Sequence, residues 1–317
     1  MTTHSPLRCS NSGMVRLPTA SQKTVLLDPG SYPSVSSYLN QTWTWNGTDW
    51  ASQSPNAMSI DPNGPLPGRI NSVMAYDGTN VMLFGGQSSS STGGVLEDTW
   101  TWNGTAWTQQ SPANPPFGRY LAEACQLTIS SGHVVMFGGF GGAGNGQIIT
   151  ETWDWNGSTK VWTLDSSGGT SATPAGRVGH CMDGGTSYLV MFGGQNAPGN
   201  AMYNDTWTFN GTNWSQLSPA TSPSVRTGAS MAYDQTHNVW VMFGGKNYYN
   251  YLPETWIFNG TTWTQQNPTN YPAGLVWTQM CWDSQTGTVL LFGGQSATTN
   301  YPSNQTWSWN GTTWTQL

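Results

Sequence analysis

One short hairpin is written six times along the chain. It reads TWTWNGTDW at 42–50, TWTWNGTAW at 99–107, TWDWNGSTKVW at 152–162, TWTFNGTNW at 206–214, TWIFNGTTW at 255–263 and TWSWNGTTW at 306–314. Regular repetition constrains the fold strongly, because each unit must bury its apolar face against its neighbours. Two further markers keep the same period. Runs such as VMLFGG (81–86), VVMFGG (134–139), LVMFGG (189–194), WVMFGG (240–245) and VLLFGG (289–294) precede the hairpins, and TVLLDPG (24–30) holds that place before the first. Upstream of these stand PGRINSVMAYD, FGRYLAEACQL, AGRVGHCMD, SVRTGASMAYD and AGLVWTQMCWD. The unit is therefore about fifty residues long. It reads as strand A, a short turn, strand B, a long loop, strand C, a tight turn and strand D.

Asn-Gly between two alternating runs predicts a two-residue type I′ turn. With Asn46-Gly47 at the corner, Trp45 faces Thr48, Thr44 faces Asp49 and Trp43 faces Trp50, which puts the three indoles on one side of the ribbon. The third copy carries two extra residues, which keeps that parity; one extra would reverse it. Sixteen of the nineteen tryptophans occupy these positions or their equivalents, so they read as packing between units rather than as a ligand-stacking row. Strand B is apolar without alternation, as a strand covered on both faces would be. A small four-stranded sheet covered on both faces needs a neighbour on each side, and six in a ring supply them.

A double glycine after an apolar strand, followed by a Trp pair at this period, resembles the kelch repeat over nearly the whole chain. The similarity is to the bacterial variety also seen in the central domain of galactose oxidase-like proteins. It implies an all-β, six-bladed kelch-type β-propeller with four antiparallel strands per blade and strand A nearest the axis. The expected blades are 1–54, 55–111, 112–166, 167–218, 219–267 and 268–317, forming a single domain, with residues 7–18 giving a worn first strand A.

Composition narrows the partners. Only 8% of residues are charged and the net charge is −6, so no basic stripe exists for nucleic acid. No window reaches eighteen apolar residues, so no membrane span is expected, and the opening MTTHSPLRCSNSGMVRLPTA lacks the apolar core of a secretion signal. Abundant Thr, Asn and Gly with little charge lean toward an extracellular or secreted bacterial protein, with a cytoplasmic one left open. Cys9, Cys125, Cys181 and Cys281 lie far apart without a CxxC pair, which points to unpaired thiols. No cofactor or metal is expected. Four histidines are too few for a two-His, two-Tyr copper site like that of galactose oxidase, and Asp61 and Asn63 give only a fragment of a calcium loop.

Up-and-down strand order puts the D–A and B–C loops on one face, here face X, and the A–B and Asn-Gly turns on the opposite face Y. Face Y is monotonous and face X varied, so binding is expected on face X. Its candidate residues are Tyr203, Tyr248, Tyr249, Tyr251, Tyr271, Trp277 and Tyr301, aromatic platforms among neutral polar groups. Arg69, Arg119, Arg177 and Arg226 open four A strands on this face. In kelch adaptor domains, similar arginines line a pocket for acidic peptides. Acids open strand C of the same units at Asp98, Glu151, Asp205 and Glu254, and where Leu275 replaces Arg the acid becomes Gln305. That coupling favours a structural bridge across strand B or to an adjacent blade, with spare N–H donors for a ligand.

Glu123 has no counterpart among Val73, Cys181, Ser230 and Gln279, its equivalents in strand A. It is the best candidate for a catalytic base in a channel; His180 and Cys181 stand in the matching strand. The leading reading is a non-catalytic binding propeller taking carbohydrate or a protein segment on face X. One alternative is a sugar isomerase or epimerase acting at the channel mouth, as some six-bladed kelch propellers do. Another is a structural module of a larger extracellular protein. A polar channel around Glu123 would favour the enzyme, and a channel plugged by Met74, Met182, Met231 and Met280 the binder. The oligomeric state is not legible.

Overall fold

The computed structural model describes residues 13–16, 24–28, 38, 41–53, 66–88, 94–127, 132–141, 146–166, 168, 172–196, 201–297 and 302–317. These residues form an all-β chain containing six four-stranded antiparallel sheets, each built A-B-C-D in order of sequence. Strand A is Gly13–Arg16, Val73–Tyr76, Glu123–Gln126, Cys181–Gly184, Thr227–Asp234 and Gln279–Asp283 in sheets 1 to 6. Strand C is Gln41–Trp45, Thr99–Trp102, Thr152–Asn156, Thr206–Phe209, Thr255–Phe258 and Thr306–Trp309. Each strand A lies against those of two neighbouring sheets, and that of sheet 1 touches both sheet 2 and sheet 6. Cys9, Pro29 and Gly30 at the end of TVLLDPG, Asp61, Asn63 and Tyr301 lie outside the described residues.

The tryptophans lie between sheets, as their spacing predicts. Of the sixteen, fifteen are buried and Trp153 is half-buried. The strand D indole does more than fill space. Its Nε1 donates to the first threonine of strand C in the preceding sheet: Trp107 to Thr42, Trp162 to Thr99, Trp214 to Thr152, Trp263 to Thr206 and Trp314 to Thr255, all at 2.9–3.0 Å. Trp50 completes the series by donating to Thr306 at 2.9 Å, from sheet 1 to sheet 6. A buried N–H needs an acceptor, and a threonine at a fixed strand position provides one at every junction.

The hairpin register differs from expectation. Trp45 pairs with Trp50, Thr44 with Ala51 and Trp43 with Ser52. The loop is four residues, Asn46–Asp49, because the Asn46 side chain accepts the N–H groups of Thr48 and Asp49 at 3.0 and 2.8 Å. Only Gly47 then takes a positive φ, 96°. The asparagine carbonyl thus builds the turn in place of a type I′ backbone. Moving the register by two residues leaves the indoles on one side. The longer third hairpin also keeps its indoles opposed, Trp155 facing Trp162, but there Asn156 pairs with Val161 and Lys160 takes the positive φ, 59°.

The double glycine also finds its cause at a junction. Gly85 and Gly86 have φ of 67° and 98°. A Cβ on Gly85 would stand 2.5 Å from the Arg119 carbonyl of the next sheet, to which Gly86 N–H donates at 2.9 Å. Only glycine allows that approach.

Candidate functional site

Strand A does not run straight to face X. In sheets 2 to 6 the residue two places beyond the Arg position turns into the left-handed region: Asn71, Leu121, Gly179, Gly228 and Trp277 have φ of 58°, 55°, 62°, 69° and 59°. Each donates its N–H to the previous one's carbonyl, Leu121 to Asn71, Gly179 to Leu121, Gly228 to Gly179 and Trp277 to Gly228, over 2.8–3.3 Å. This backbone chain rims the face X end of an axial chamber of about 190 Å³ lined by strand A of all six sheets. Holding leucine and tryptophan in that conformation costs about 1–3 kcal/mol each, so the rim is strained where its side chains are largest. The Trp277 indole lies across two glycines: Cβ atoms on Gly179 and Gly228 would meet its ring at 2.8 and 3.1 Å. Gly228→Val is expected to lift this indole, shift tryptophan emission and destabilise the fold by about 1–3 kcal/mol, read by fluorescence and urea midpoint.

The four arginines belong to the wall instead. Arg69 donates from Nε to Pro67 O, from Nη1 to Gly85 O and to Asp98 Oδ1, and from Nη2 to Asp98 Oδ2 at 2.8 Å. The same clamp joins Arg119 to Glu151, Arg177 to Asp205 and Arg226 to Glu254, with ion-pair distances of 2.6–2.7 Å and arginine side chains 0–1% exposed. Both partners belong to one repeat unit, on either side of the double glycine that ends strand B. The carboxylate also accepts the indole N–H two residues on, as Trp100 to Asp98 at 2.6 Å. Burial alone would raise the Asp98 carboxyl, yet the Arg69 guanidinium and that indole hold it below the usual range. Where arginine is absent, Gln41 and Gln305 accept from Trp43 and Trp307 at 3.2 Å, and Leu275 is buried. The ligand role foreseen for Arg69, Arg119, Arg177 and Arg226 does not fit this placement, because they are 0–1% exposed, three or four of the five N–H donors of each bond to the protein, and none lines the chamber.

The face X aromatics fall into distinct settings. Tyr203 covers Arg177, its ring centre 4.2 Å from the guanidinium carbon. Tyr251 is half-buried and bridges to Lys246, whereas Tyr248 and Tyr271 are about half exposed and Tyr249 is 89% exposed. Tyr248 and Tyr249 ride a turn in which Asn247 N–H donates to Asn250 O at 3.0 Å while its side chain accepts from Tyr249 and Asn250 N–H. The asparagine device of the face Y hairpins is reused here to display tyrosines. Across the rim, Val95 and Phe117 are exposed and the rings of Tyr120 and Phe140 touch at 5.5 Å. These four were not singled out from sequence. Their loops differ from unit to unit, so repeat comparison gives no baseline for them.

Inside the chamber, Glu123 is partly open to the lumen and faces no cation among the described lining residues. Burial pushes its carboxyl up to about 8, with the charge of Asp183 adding to the shift. Asp183 is itself pushed up to about 6 by burial, against N–H donors from Tyr233 and Gly184. His180 is 1% exposed and held down to about 3 by burial and the Arg177 charge. Met74, Met182, Met231 and Met280 are buried in the clusters between sheets and line the chamber without filling it. Cys125, Cys181 and Cys281 are buried thiols outside any disulfide among the described residues. Asp183 escaped the sequence reading although the comparison that isolated Glu123 applies to it equally, its equivalents being Ala75, Cys125, Ala232 and Cys281.

A raised folded value means that Glu123 stabilises the fold at low pH. That contribution is lost as pH rises from its ordinary 4.5 through about 8. Glu123→Gln should flatten this decline, so the variant gains on the natural protein in urea midpoint between pH 5 and pH 9.

Two comparisons bear on this architecture. A family model described as the KLHDC2/KLHL20/DRC7 Kelch-repeats domain matches residues 126–277. A solved structure titled "Structure of YjhT" is similar over 100% of this chain and 99% of that one, with a TM-score of 0.73 at 14% identity. The fold is of the propeller type, with kelch-repeat character. At that identity the likeness speaks for fold alone. Among the described residues, no group of three or more His, Cys, Asp or Glu is placed to hold a metal ion, and no helix is long and apolar enough to cross a membrane.

Proposed function

We propose that the chain is a closed six-bladed binding propeller, its blades divided near residues 54, 111, 166, 218 and 267, that takes a carbohydrate or a protein segment on face X. The contact of strand A of sheet 1 with sheets 2 and 6 and the Trp50–Thr306 bond support closure. The observation carrying the binding role is the rigid turn that presents Tyr248 and Tyr249 to solvent, with Tyr248 Oη anchored by Met202 N–H at 2.8 Å. A fixed, exposed aromatic loses little freedom on binding, and its flat face suits the C–H surface of a sugar or an apolar side chain. Low charge fits an extracellular bacterial setting, which belongs to the proposal.

A glycan array and a peptide library, followed by calorimetry, test it. Tyr249→Ala should weaken the selected ligand at least tenfold while leaving the urea midpoint unchanged. Absence of any saturable ligand at high micromolar concentration, or full affinity retained by both Tyr249→Ala and Phe117→Ala, would reject it.

A second reading is supported by the open chamber around Glu123, which Met74, Met182, Met231 and Met280 line but do not plug. Glu123, with a carboxyl near neutral in titration, is suited to move a proton for a sugar in the chamber, as an isomerase or epimerase would require. Since the arginines are committed to the wall, the substrate on this reading is not held as an anion by them. Turnover of a candidate sugar that survives Glu123→Gln would end it.

A further inference from the structure

The chamber wall is unbalanced in charge. Glu123 and Asp183 bring two carboxyls to it, and no lysine or arginine lines it among the described residues. The Glu123 carboxyl has no hydrogen-bond or ion-pair partner among those residues; its charge is opposed by burial and by Asp183, and it in turn raises the thiols of Cys125 and Cys181. Polar groups along the same wall are also short of partners. His180, 1% exposed, has neither ring nitrogen hydrogen-bonded, and Asn71 Oδ1 and Ser72 Oγ are buried without a partner. Buried polar atoms in folded proteins are satisfied with few exceptions; four of the nine unpartnered ones among the described residues belong to this wall, and with the unpaired Glu123 carboxyl they point to an occupant.

We infer that the chamber is a receptor for a small organic cation of the alkylammonium class. An ammonium head supplies up to three N–H donors and one positive charge; the Glu123 carboxyl and the His180 imidazole lack donors, while Asp183, whose two oxygens accept from Gly184 and Tyr233 N–H, contributes negative charge. Its alkyl part would meet the thioethers of Met74, Met182, Met231 and Met280, and the Trp277 indole at the rim offers a face that attracts cations. The volume of about 190 Å³ is more than ten times the roughly 10–15 Å³ that one buried water needs. This interior site is independent of any ligand on face X.

Charge in the chamber fixes the pH dependence. Of the groups on the described wall, Glu123 and Asp183 titrate near 8 and 6, His180 stays neutral, and burial raises the thiols of Cys125 and Cys181. Cys281, Tyr76 and Tyr233 complete the titratable groups on that wall. Below pH 8 the cation must displace the Glu123 proton, so affinity falls up to tenfold per pH unit.

Calorimetric titration of the full chain with n-butylammonium chloride, against sodium chloride at equal ionic strength, tests the inference. Saturable binding is expected at pH 8.5, at least tenfold weaker at pH 6, and at least tenfold weaker again in Glu123→Gln at pH 8.5. A measurement on the natural protein guards against a misfolded variant: the Glu123 carboxyl ¹³C signal should move on adding butylammonium, and its titration midpoint should drop by one pH unit or more. Absence of saturable heat at pH 8.5, equal binding of sodium, or an unmoved Glu123 signal would overturn it.

Discussion

Arg177→Leu is expected to destabilise the protein by about 3–5 kcal/mol, because it strands a carboxylate built for a partner. Asp205 accepts two guanidinium N–H groups, at 2.6 and 2.8 Å, and loses both. The carbonyls of Ala175 and Gly193 lose their donors as well, at 2.9 Å each. Sheet 6 shows what a tolerated replacement looks like, with Leu275 and Gln305 in the two places. Arg177→Leu combined with Asp205→Gln should therefore recover most of the loss, since the amide can still accept the Trp207 N–H that Asp205 accepts at 2.7 Å. Urea midpoints of the two single variants and the double variant measure the coupling. Additive losses would mean that the pair acts independently and that the clamp is not the arginines' role.

Trp263→Ala is the second large effect, about 3–5 kcal/mol. The indole is 1% exposed and packs between Phe192 of sheet 4, at 5.1 Å between ring centres, and Phe258 of its own hairpin, at 4.9 Å. Its N–H bond to Thr206 disappears with it. The cavity would lie at a junction between sheets, so cooperativity of unfolding should fall together with the midpoint. Tyr249→Ala makes the contrast: it deletes a ring of similar chemistry with no measurable change in stability, because Tyr249 is almost wholly in solvent.

Repetition made much of this architecture legible. Six copies of a unit reveal which residues are mandatory, so the sheets, the buried indoles and the Arg–carboxylate coupling all follow from comparing the chain with itself. The same comparison exposed Glu123 as a departure. What it could not supply is geometry that no residue letter encodes. The hairpin asparagines, each accepting two N–H groups as Asn46 does, accompany a shift of two residues in five hairpins, and of four in the longer third one, relative to the backbone turn expected for Asn-Gly. The left-handed rim was hidden for a similar reason: Asn71, Leu121, Gly179, Gly228 and Trp277 share a conformation but no chemistry. Glycine at two of these positions is comfortable there, and it clears the space that the Trp277 ring occupies. The arginines show the opposite limit. Sequence identified their partners, while only their burial, at 0–1% exposed, shows that the donors are closed to a ligand.

The central physical claim is that strand D indoles bond each sheet to the one before it, including sheet 1 to sheet 6. Hydrogen exchange of the indole N–H groups, followed by ¹⁵N–¹H spectroscopy of the intact chain, reads those bonds one by one. Trp50, bonded to Thr306 across 256 residues of sequence, should be protected as strongly as Trp214, bonded to Thr152. Rapid exchange at Trp50 beside slow exchange at Trp214 would show an open row of sheets and contradict the account.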